Sequence, residues 1–220
     1  MNNTKILITG ANGFVGKNLT AHLKQLGFEN LYLYDRQSTM EELSLYCSDC
    51  EFVFHLAGVN RPLDKKEFYE GNTDFSATLI EALKAKGNHC PILVSSSIQA
   101  ELDNDYGKSK KLGEDLFFSN QDNKAFVFRL YGVFGKWSKP NYNTVVATFM
   151  YNVIHDIPVS ISDENHLLTL CYIDDVVEEI IACIKGNAFQ VADHYGVKKV
   201  YEISLGELKE RIESFPLSRK

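Results

Sequence analysis

The sequence lacks any long apolar run and any dense cluster of basic residues. Its first apolar run, residues 6–8, is too short for a secretory signal peptide, and no later stretch is long enough to span a bilayer. The net charge is −6, which makes nucleic acid and anionic membranes poor candidate partners. We therefore expect a small-molecule ligand, with no nucleic-acid or membrane partner.

Cysteine is scarce, and its arrangement favours free thiols. The five cysteines are scattered along the chain, and the CxxC motif of Cys47 and Cys50 has no second pair and no histidine at zinc spacing. His155, His166 and His194 show no metal-ligand spacing either. We therefore predict reduced thiols, a cytoplasmic location and no bound metal.

Short apolar runs alternate with amphipathic stretches along the chain of 220 residues. Strands are predicted over residues 5–9, 31–34, 52–56, 92–95, 125–130, 167–172 and 200–203, and helices over residues 14–26, 68–86, 106–118, 144–155 and 174–185. Ser204 and Glu207 have the spacing of a capping box, which predicts the start of a last helix. The alternation favours an α/β fold with a Rossmann-type, doubly wound parallel sheet.

The regular alternation of predicted strands and helices loosens after Leu130, although no repeat, low-complexity tract or clear linker divides the chain. We expect residues 1–130 to form a dinucleotide-binding Rossmann core. Residues 131–220 are expected to form a small C-terminal substrate-binding region, together with the last strand and helix of the same domain.

A glycine-rich turn follows the first predicted strand and opens the first predicted helix. Gly10 permits a tight turn, Gly13 lets the backbone approach a pyrophosphate, and Gly16 lets the helix pack closely on the strand. The free N–H groups and the positive end of the helix then face the phosphates. The expected cofactor contacts in this turn are Gly10, Asn12, Gly13, Phe14 and Val15.

The second predicted strand ends in Asp35 and Arg36, which point to different dinucleotides. An acid at this distance from the glycines binds the ribose 2′-hydroxyl of NAD(H), whereas a neighbouring arginine accommodates the 2′-phosphate of NADP(H). Ser38 and Thr39 follow and can also donate hydrogen bonds to a phosphate. We favour NADP(H), with NAD(H) as the alternative and a solvated Arg36 as the simplest competing interpretation.

Tyr106 and Lys110 are candidate catalytic residues because they lie four positions apart on a predicted helix. That spacing places both side chains on one face of the helix, whereas Lys108 lies on another face. An ammonium group close to a phenol favours the phenolate, so we expect Lys110 to lower the pKa of Tyr106 towards neutrality. Tyr106 would then serve as an acid near pH 7.

Four motifs occur in a characteristic order, and their positions in the chain are 10–16 (GxxGxxG), 55–58 (HLAG), 95–97 (SSS) and 106–110 (YxxxK). This order resembles the extended short-chain dehydrogenases/reductases, the NAD-dependent epimerase/dehydratase family. The resemblance implies that Ser97 hydrogen-bonds the reacting carbonyl oxygen, with Ser96 as the alternative, and that Lys110 holds the nicotinamide ribose. The further cofactor contacts that it implies are Leu56, Ala57, Gly58, Ser95, Tyr106 and Lys110.

The chain departs from this family between Ser97 and Tyr106. Only eight residues separate the two, whereas most extended members have a considerably longer loop there. Family members that dehydrate sugars resemble T-D-E at this point, but here the residues after Ser97 are Ile98 and Gln99. With no acid in place for elimination, hydride transfer at a carbonyl is the expected chemistry.

Longer strings occur at residues 55–62 (HLAGVNRP), 95–100 (SSSIQA), 134–143 (FGKWSKPNYN) and 172–175 (YIDD). Together they resemble the reductase half of capsular-polysaccharide enzymes of the CapF/WbjC type. That resemblance implies a homodimer and NADPH-dependent reduction at C4 of a UDP-linked 2-acetamido-2,6-dideoxy-4-hexulose. A cupin domain follows in that family, and we expect it to be absent here. Tyr131 and Gly132 replace the family's Pro-Asn pair, near the expected meeting point of nicotinamide and sugar.

Polar residues after the third strand and in the FGKWSKPNYN string are candidates for binding the substrate. The candidates are Asn60, Arg61, Ser97, Asn141, Tyr142 and Asn143. An arginine suits a diphosphate because its fork is bidentate, although Arg61 also fits an ordinary surface position. Trp137 fits either a uracil contact or a core position. The alternatives to a reductase are an NAD-dependent 4-epimerase and a dinucleotide-binding module without catalysis.

Overall fold

The computed structural model describes residues 3–142 and 144–217. The strands are β1 (Ile6–Thr9), β2 (Leu31–Tyr34), β3 (Phe52–His55), β4 (Ile92–Ser97), β5 (Ala125–Leu130), β6 (Gly132–Phe134), β7 (Leu167–Tyr172), β8 (Gln190–Val191), β9 (His194–Tyr195) and β10 (Tyr201–Ser204). The helices are α1 (Phe14–Gln25), α2 (Met40–Tyr46), α3 (Lys66–Tyr69), α4 (Phe75–Ala85), α5 (Asp105–Ser119), α6 (Val145–Ile154), α7 (Ile173–Ala182) and α8 (Leu205–Ser214).

The main sheet has the strand order β2-β1-β3-β4-β5-β9-β8. The first six of these strands run parallel, and β8 pairs antiparallel with β9 at the edge. The order reverses between β1 and β3, where ligands bind in open α/β sheets, and the glycine-rich turn follows β1 at this point. The predicted Rossmann-type parallel sheet is confirmed.

Alternate residues of each central strand supply the two apolar cores, one on each face of the sheet. Ile6 and Ile8 of β1 face the core that contains Leu19 of α1 and Val177 of α7. Leu7 faces the opposite core, beside residues of α2, α4 and α5. Since both faces are covered, these strands are short runs of apolar residues without polar alternation.

A second sheet has the strand order β10-β7-β6. All three of its strands follow Leu130 in the chain. The third apolar cluster joins it to α6 and α8 through Phe149, Leu168 and Leu208. The predicted capping box of Ser204 and Glu207 is confirmed, because each side chain bonds the backbone N–H of the other. Within the described residues, no helix is long and apolar enough to cross a membrane.

The predicted helix over residues 68–86 proved to be three consecutive pieces. It comprises α3, one turn of π-helix over Glu70–Asp74, and α4. Helix α2 was not predicted, although Thr39 and Glu42 form a capping box at its start. It has seven residues, too few for helical periodicity to stand out. Strands β6, β8 and β9 were missed because each has only two or three residues.

Candidate active site

The turn after β1 has no room for side chains at two of its glycines. Gly10 has a φ of +70°, and a Cβ placed on it would lie 2.7 Å from the backbone N of Ala57. A Cβ on Gly16 would lie 2.3 Å from the carbonyl O of Gly10. Gly13 is the N-cap of α1, whose first turn receives no side-chain cap. We call this glycine turn, residues 10–16, the cradle. It suits a pyrophosphate that binds against exposed backbone N–H groups.

Asp35 at the end of β2 is bound to the neighbouring turn. Its carboxylate accepts a hydrogen bond from the side-chain amide of Asn12 and another, of 2.8 Å, from the backbone N–H of Gln37. The backbone N–H of Asp35 donates to Ser38 Oγ at 3.1 Å. Arg36 is exposed and forms no ion pair among the described residues. The turn therefore carries the exposed guanidinium of Arg36 beside Asp35, whose two carboxylate oxygens both accept hydrogen bonds.

The predicted catalytic side chains come together at the carboxyl end of β4 and the first turns of α5. Ser97 Oγ accepts a 3.2 Å hydrogen bond from the backbone N–H of Gln99, and the hydroxyl of Tyr106 interacts with Ser97. Lys110 Nζ donates to the carbonyl O of Ser95 at 3.2 Å and lies 6.0 Å from the centroid of the Tyr106 ring. The three residues thus lie close together, and Lys110 lines a small cavity with Ala57, whose backbone lies beside Gly10 of the cradle.

The predicted lowering of the Tyr106 pKa is wrong for this arrangement. Burial raises the pKa of Tyr106 above its ordinary value, and the interaction with Ser97 opposes the rise without overcoming it. Burial also lowers the pKa of Lys110 to about 8, against the opposing effect of Glu114. The raised pKa keeps the phenol protonated near pH 7, which is the form that donates a proton.

A buried ionic network distinguishes Ser96 from Ser97. Glu114 of α5 accepts two hydrogen bonds from Arg129 of β5, from Nε at 2.9 Å and from Nη2 at 2.7 Å. Ser96 Oγ donates to the same carboxylate at 2.6 Å. All three side chains are buried. Ser96 therefore belongs to the network beneath the site, and Ser97 is the serine that faces Tyr106.

The short segment between Ser97 and Tyr106 begins with a 3₁₀ turn, Ile98–Glu101, that packs on α5. A Cβ on Gly107 would lie 2.2 Å from the carbonyl O of Gln99 and 2.6 Å from that of Leu102, so only glycine fits there. The acids of this segment are all paired with basic residues, in the pairs Glu101–Arg129, Asp103–Lys108 and Asp105–Lys65. No carboxylate in the segment is therefore left for acid–base work.

Sequence reasoning missed Asn72, which lies in the π-helical turn before α4. Its buried side chain accepts from the backbone N–H of Val59 at 2.9 Å and donates to the carbonyl O of Val59 at 2.8 Å. Asn72 therefore positions the segment that carries Asn60, which is half-buried, and Arg61, which is exposed. The signal available in the sequence was a Gly-Asn pair, at residues 71 and 72, inside an otherwise helical pattern.

His55 joins the end of β1 to this π-helical turn. Ser76 Oγ donates to the carbonyl O of Asn72 at 2.7 Å, so its oxygen accepts from His55 Nε2 at 3.0 Å. His55 Nδ1 then accepts from the Thr9 hydroxyl at 2.8 Å. Burial and, secondarily, Lys110 lower the pKa of His55 to about 3. The ring therefore stays neutral and holds a single tautomer.

The remaining predicted substrate residues lie after β6. Asn141 and Tyr142 are exposed, and the backbone N–H of Asn141 donates to Thr148 Oγ1 at 2.9 Å. Asn143 lies outside the described residues. Trp137 is also exposed, so it is not a core residue.

The cysteines are free and buried, and Cys50 packs on Cys90, with 3.8 Å between the sulfur atoms. Burial raises the pKa of Cys47 to about 12, so its thiol is unreactive. Within residues 3–142 and 144–217, no group of three His, Cys, Asp or Glu residues is placed to hold a metal ion. The CxxC motif is thus part of the apolar core in this structure.

Comparison with protein families agrees with the glycine cradle, with the positions of Tyr106 and Lys110, and with the strand order. The model of the NAD dependent epimerase/dehydratase family matches residues 6–197. The chain belongs to this family. The match confirms the family resemblance expected from the four motifs, and solved proteins of this fold are known with bound NAD.

Relatives within this family are longer than the chain. A UDP-2-acetamido-2,6-beta-L-arabino-hexul-4-ose reductase from Pseudomonas aeruginosa is 45% identical over 224 residues, which cover 98% of this chain and 59% of the reductase. The capsular polysaccharide assembling protein CapF from Staphylococcus aureus aligns with a TM-score of 0.87 at 38% identity, over 98% of this chain and 58% of CapF. The chain thus spans about three fifths of the length of these relatives.

Solved structures of lower sequence identity share the fold. UDP-glucuronic acid 4-epimerase from Bacillus cereus, solved with NAD, aligns with a TM-score of 0.83 at 19% identity, over 99% of this chain and 83% of the epimerase. At this identity the similarity describes the fold alone.

Proposed function

We propose that the chain uses NADPH to reduce the C4 keto group of a UDP-linked 2-acetamido-2,6-dideoxy-4-hexulose, for surface-polysaccharide precursor synthesis. One observation carries the proposal: the hydroxyl of Tyr106 interacts with Ser97, in the same fold as a glycine cradle that fits a dinucleotide. The 45% identity with a reductase of this substrate class supports the choice of sugar.

The proposed chemistry assigns a separate task to each side chain. When bound, the nicotinamide supplies the hydride. Ser97 donates a hydrogen bond to the keto oxygen as negative charge develops on it, a contribution of about 3–4 kcal/mol by analogy with oxyanion holes. Tyr106 gives its proton to that oxygen, and Lys110 holds the ribose and stabilises the phenolate that remains.

The loop chemistry supports reduction over elimination of water. Dehydration would need a carboxylate close to Ser97, but Ile98 and Gln99 occupy those positions. Glu101, the first acid after Ser97 in the chain, is paired with Arg129. Ser97 and Tyr106, the side chains proposed to act on the keto oxygen, are those that a hydride transfer at a carbonyl needs.

The turn after β2 supports NADPH as the cofactor, with NADH as the alternative. Asp35 already accepts hydrogen bonds from Asn12 and Gln37, which reduces its capacity to bind a ribose 2′-hydroxyl. Arg36 is exposed beside Asp35. It suits a 2′-phosphate because arginine forms strong, charge-assisted hydrogen bonds with phosphate oxygens. Ser38 accepts from Asp35, so its hydroxyl proton is available to a phosphate.

Replacing Arg36 with alanine is expected to weaken NADPH binding by about 10- to 100-fold, because a hydrogen bond to a charged group is lost. NADH binding should change little, since NADH has no 2′-phosphate. Equilibrium titration with both nucleotides measures the two constants. The matched control is Arg211→Ala, which removes an exposed arginine on α8. Equal losses for NADPH and NADH would contradict the assignment of Arg36 to the phosphate.

The rate of reduction is expected to fall as pH rises through the pKa of Lys110, about 8. The folded-state pKa is lowered, so the ammonium form dominates below that value and is lost above it. We expect kcat/KM to be steady at lower pH and to drop about tenfold per unit above the pKa. The matched variant Lys110→Arg should lose this alkaline limb, because arginine stays charged. An unchanged limb in Lys110→Arg would refute the assignment.

The substrate is proposed to bind between the Val59–Arg61 segment and the region after Leu130. Arg61 would pair with the diphosphate, and Asn60, Asn141, Tyr142 and Asn143 would contact the sugar nucleotide. Residues 1–130 would then hold the cofactor, and the later part of the chain would supply most of the substrate side. A homodimer is proposed from the family resemblance, and light scattering of the purified chain tests it.

The decisive test is to mix the chain with NADPH and the freshly prepared 4-keto product of UDP-N-acetylglucosamine dehydration. Loss of NADPH absorbance with formation of a UDP-linked 6-deoxy sugar is expected. Sugar isomerisation with tightly held NAD and no net oxidation would identify a 4-epimerase instead. Dinucleotide binding with inertness towards every keto sugar would identify a non-catalytic module.

A further inference from the structure

Trp137 is the only tryptophan of the chain, and its exposure and its backbone conformation are both unusual. Its side chain is 56% exposed, and it belongs to none of the three apolar clusters. Its φ is +65°, a left-handed conformation that is costly for a bulky residue. Strain of this kind persists where surrounding contacts impose it, and it occurs frequently at ligand-binding sites.

The residues next to Trp137 are anchored on the dinucleotide side of the fold. The side-chain amide of Asn18 donates to the carbonyl O atoms of Phe14 and Lys136, both at 2.9 Å. The ammonium of Lys136 pairs with Asp174 of α7 at 2.9 Å. Since Phe14 begins α1, these contacts hold the Trp137 segment beside the helix that presents the phosphate cradle. The exposed ring is therefore carried by a fixed backbone.

The surroundings of the ring match the chemistry of a nucleotide. Lys139 is exposed two residues later and forms no ion pair among the described residues, so it is available to a phosphate. Tyr142 offers a second exposed ring on the same segment. An aromatic face beside a free cation suits a nucleobase with its attached phosphates.

The position favours the substrate nucleotide over the cofactor adenosine. The adenosine end of a bound dinucleotide would lie near Asp35 at the end of β2. Trp137 instead follows β6, a strand of the second sheet. We propose that Trp137 packs its indole face against the uracil of the nucleotide-sugar substrate, with Lys139 facing the diphosphate. This inference rests on the proposed function.

Because Trp137 is the only tryptophan, its fluorescence reports on this site without any substitution. We expect a saturable change in emission when the NADP⁺-loaded chain is titrated with UDP, and no such change with ADP. Calorimetry should show that Trp137→Ala raises the Kd of UDP by about 5- to 150-fold, the range of base–aromatic stacking. Trp137→Phe should retain most of the affinity. The matched control is Tyr151→Ala, which removes an exposed ring on α6.

The possible outcomes separate this inference from the proposed function. If UDP binds by calorimetry but leaves the emission unchanged, or binds Trp137→Ala as tightly as the unmodified chain, the uracil contact is refuted and the reductase proposal stands. A change in emission with NADP⁺ alone, and none on adding UDP, would place the ring on the cofactor and also refute the inference. Failure of the NADP⁺-loaded chain to bind UDP at all would overturn both.

Discussion

Replacing Tyr106 with phenylalanine is expected to slow keto-sugar reduction by about 10²- to 10⁴-fold, the usual contribution of a positioned general acid. The substitution removes only the hydroxyl that lies against Ser97 and keeps the ring, whose centroid is 5.6 Å from that of Phe68. Folding and NADPH affinity should therefore be retained. Steady-state rates of NADPH oxidation with the 4-keto sugar measure the effect.

A matched variant separates loss of the acid from loss of a phenol in general. Tyr46 of α2 stacks on Tyr32 of β2, which is an edge strand of the main sheet, and Tyr46→Phe should reduce the sugar at the normal rate. If Tyr106→Phe also reduced the sugar at the normal rate, the proton would come from another group and the mechanism would be wrong.

Breaking the buried pair of Glu114 and Arg129 is expected to lower the free energy of unfolding by about 3–5 kcal/mol. Arg129→Met would leave the Glu114 carboxylate buried without its guanidinium partner, with Ser96, the more distant Lys111 and the charge of Lys110 as its remaining polar neighbours. Glu114→Gln would leave the buried guanidinium of Arg129 with the exposed Glu101 as its remaining ion-pair partner. Such a cost is a large part of the 5–15 kcal/mol that stabilises an ordinary domain. Urea unfolding followed by circular dichroism measures it.

The same network provides its own controls. Lys111 lies 3.7 Å from Glu114 but is 42% exposed, so Lys111→Met should cost less than about 1 kcal/mol. The double variant Glu114→Gln with Arg129→Met removes both charges of the pair and should lose less than the two single variants combined. Unfolding of Arg129→Met at the same urea concentration as the unmodified chain would contradict the prediction.

This network also explains how α5 is held in register with the sheet. Arg129 of β5 contacts Glu114 of α5 and Glu101 of the turn after Ser97. One guanidinium thereby links the helix that carries Tyr106 to the segment that carries Ser97. Substitutions at Glu114 or Arg129 are consequently expected to affect the site as well as the stability of the fold.

Much of the fold was predictable because its central strands are buried on both faces. Such strands appear in the sequence as short apolar runs, and β1, β3 and β5 were all placed within one residue at each end. Short elements were not predictable, since two or three residues show no periodicity. Strands β6, β8 and β9 exist only because neighbouring strands pair with them.

The site was predictable where chemistry depends on local spacing. The glycine turn and the Tyr106–Lys110 pair each lie within one short segment, so spacing alone brings their groups together. The choice between Ser96 and Ser97 was different, because neighbouring residues of a strand point to opposite faces. Only the position of Glu114 relative to β4 decides which serine is engaged beneath the site.

By itself, the sequence determined the fold class, the family and the placing of Tyr106 and Lys110 on one face of a helix, because each depends on residues close together in the chain. The tertiary structure decided what depends on burial and on contacts between distant segments. It placed Trp137 at the surface and packed the free thiols of Cys50 and Cys90 against each other in the core. It brought Asn72 into hydrogen bonds with the backbone of Val59. It also reversed the expected pKa shift of Tyr106, since desolvation of the phenol outweighs its other interactions.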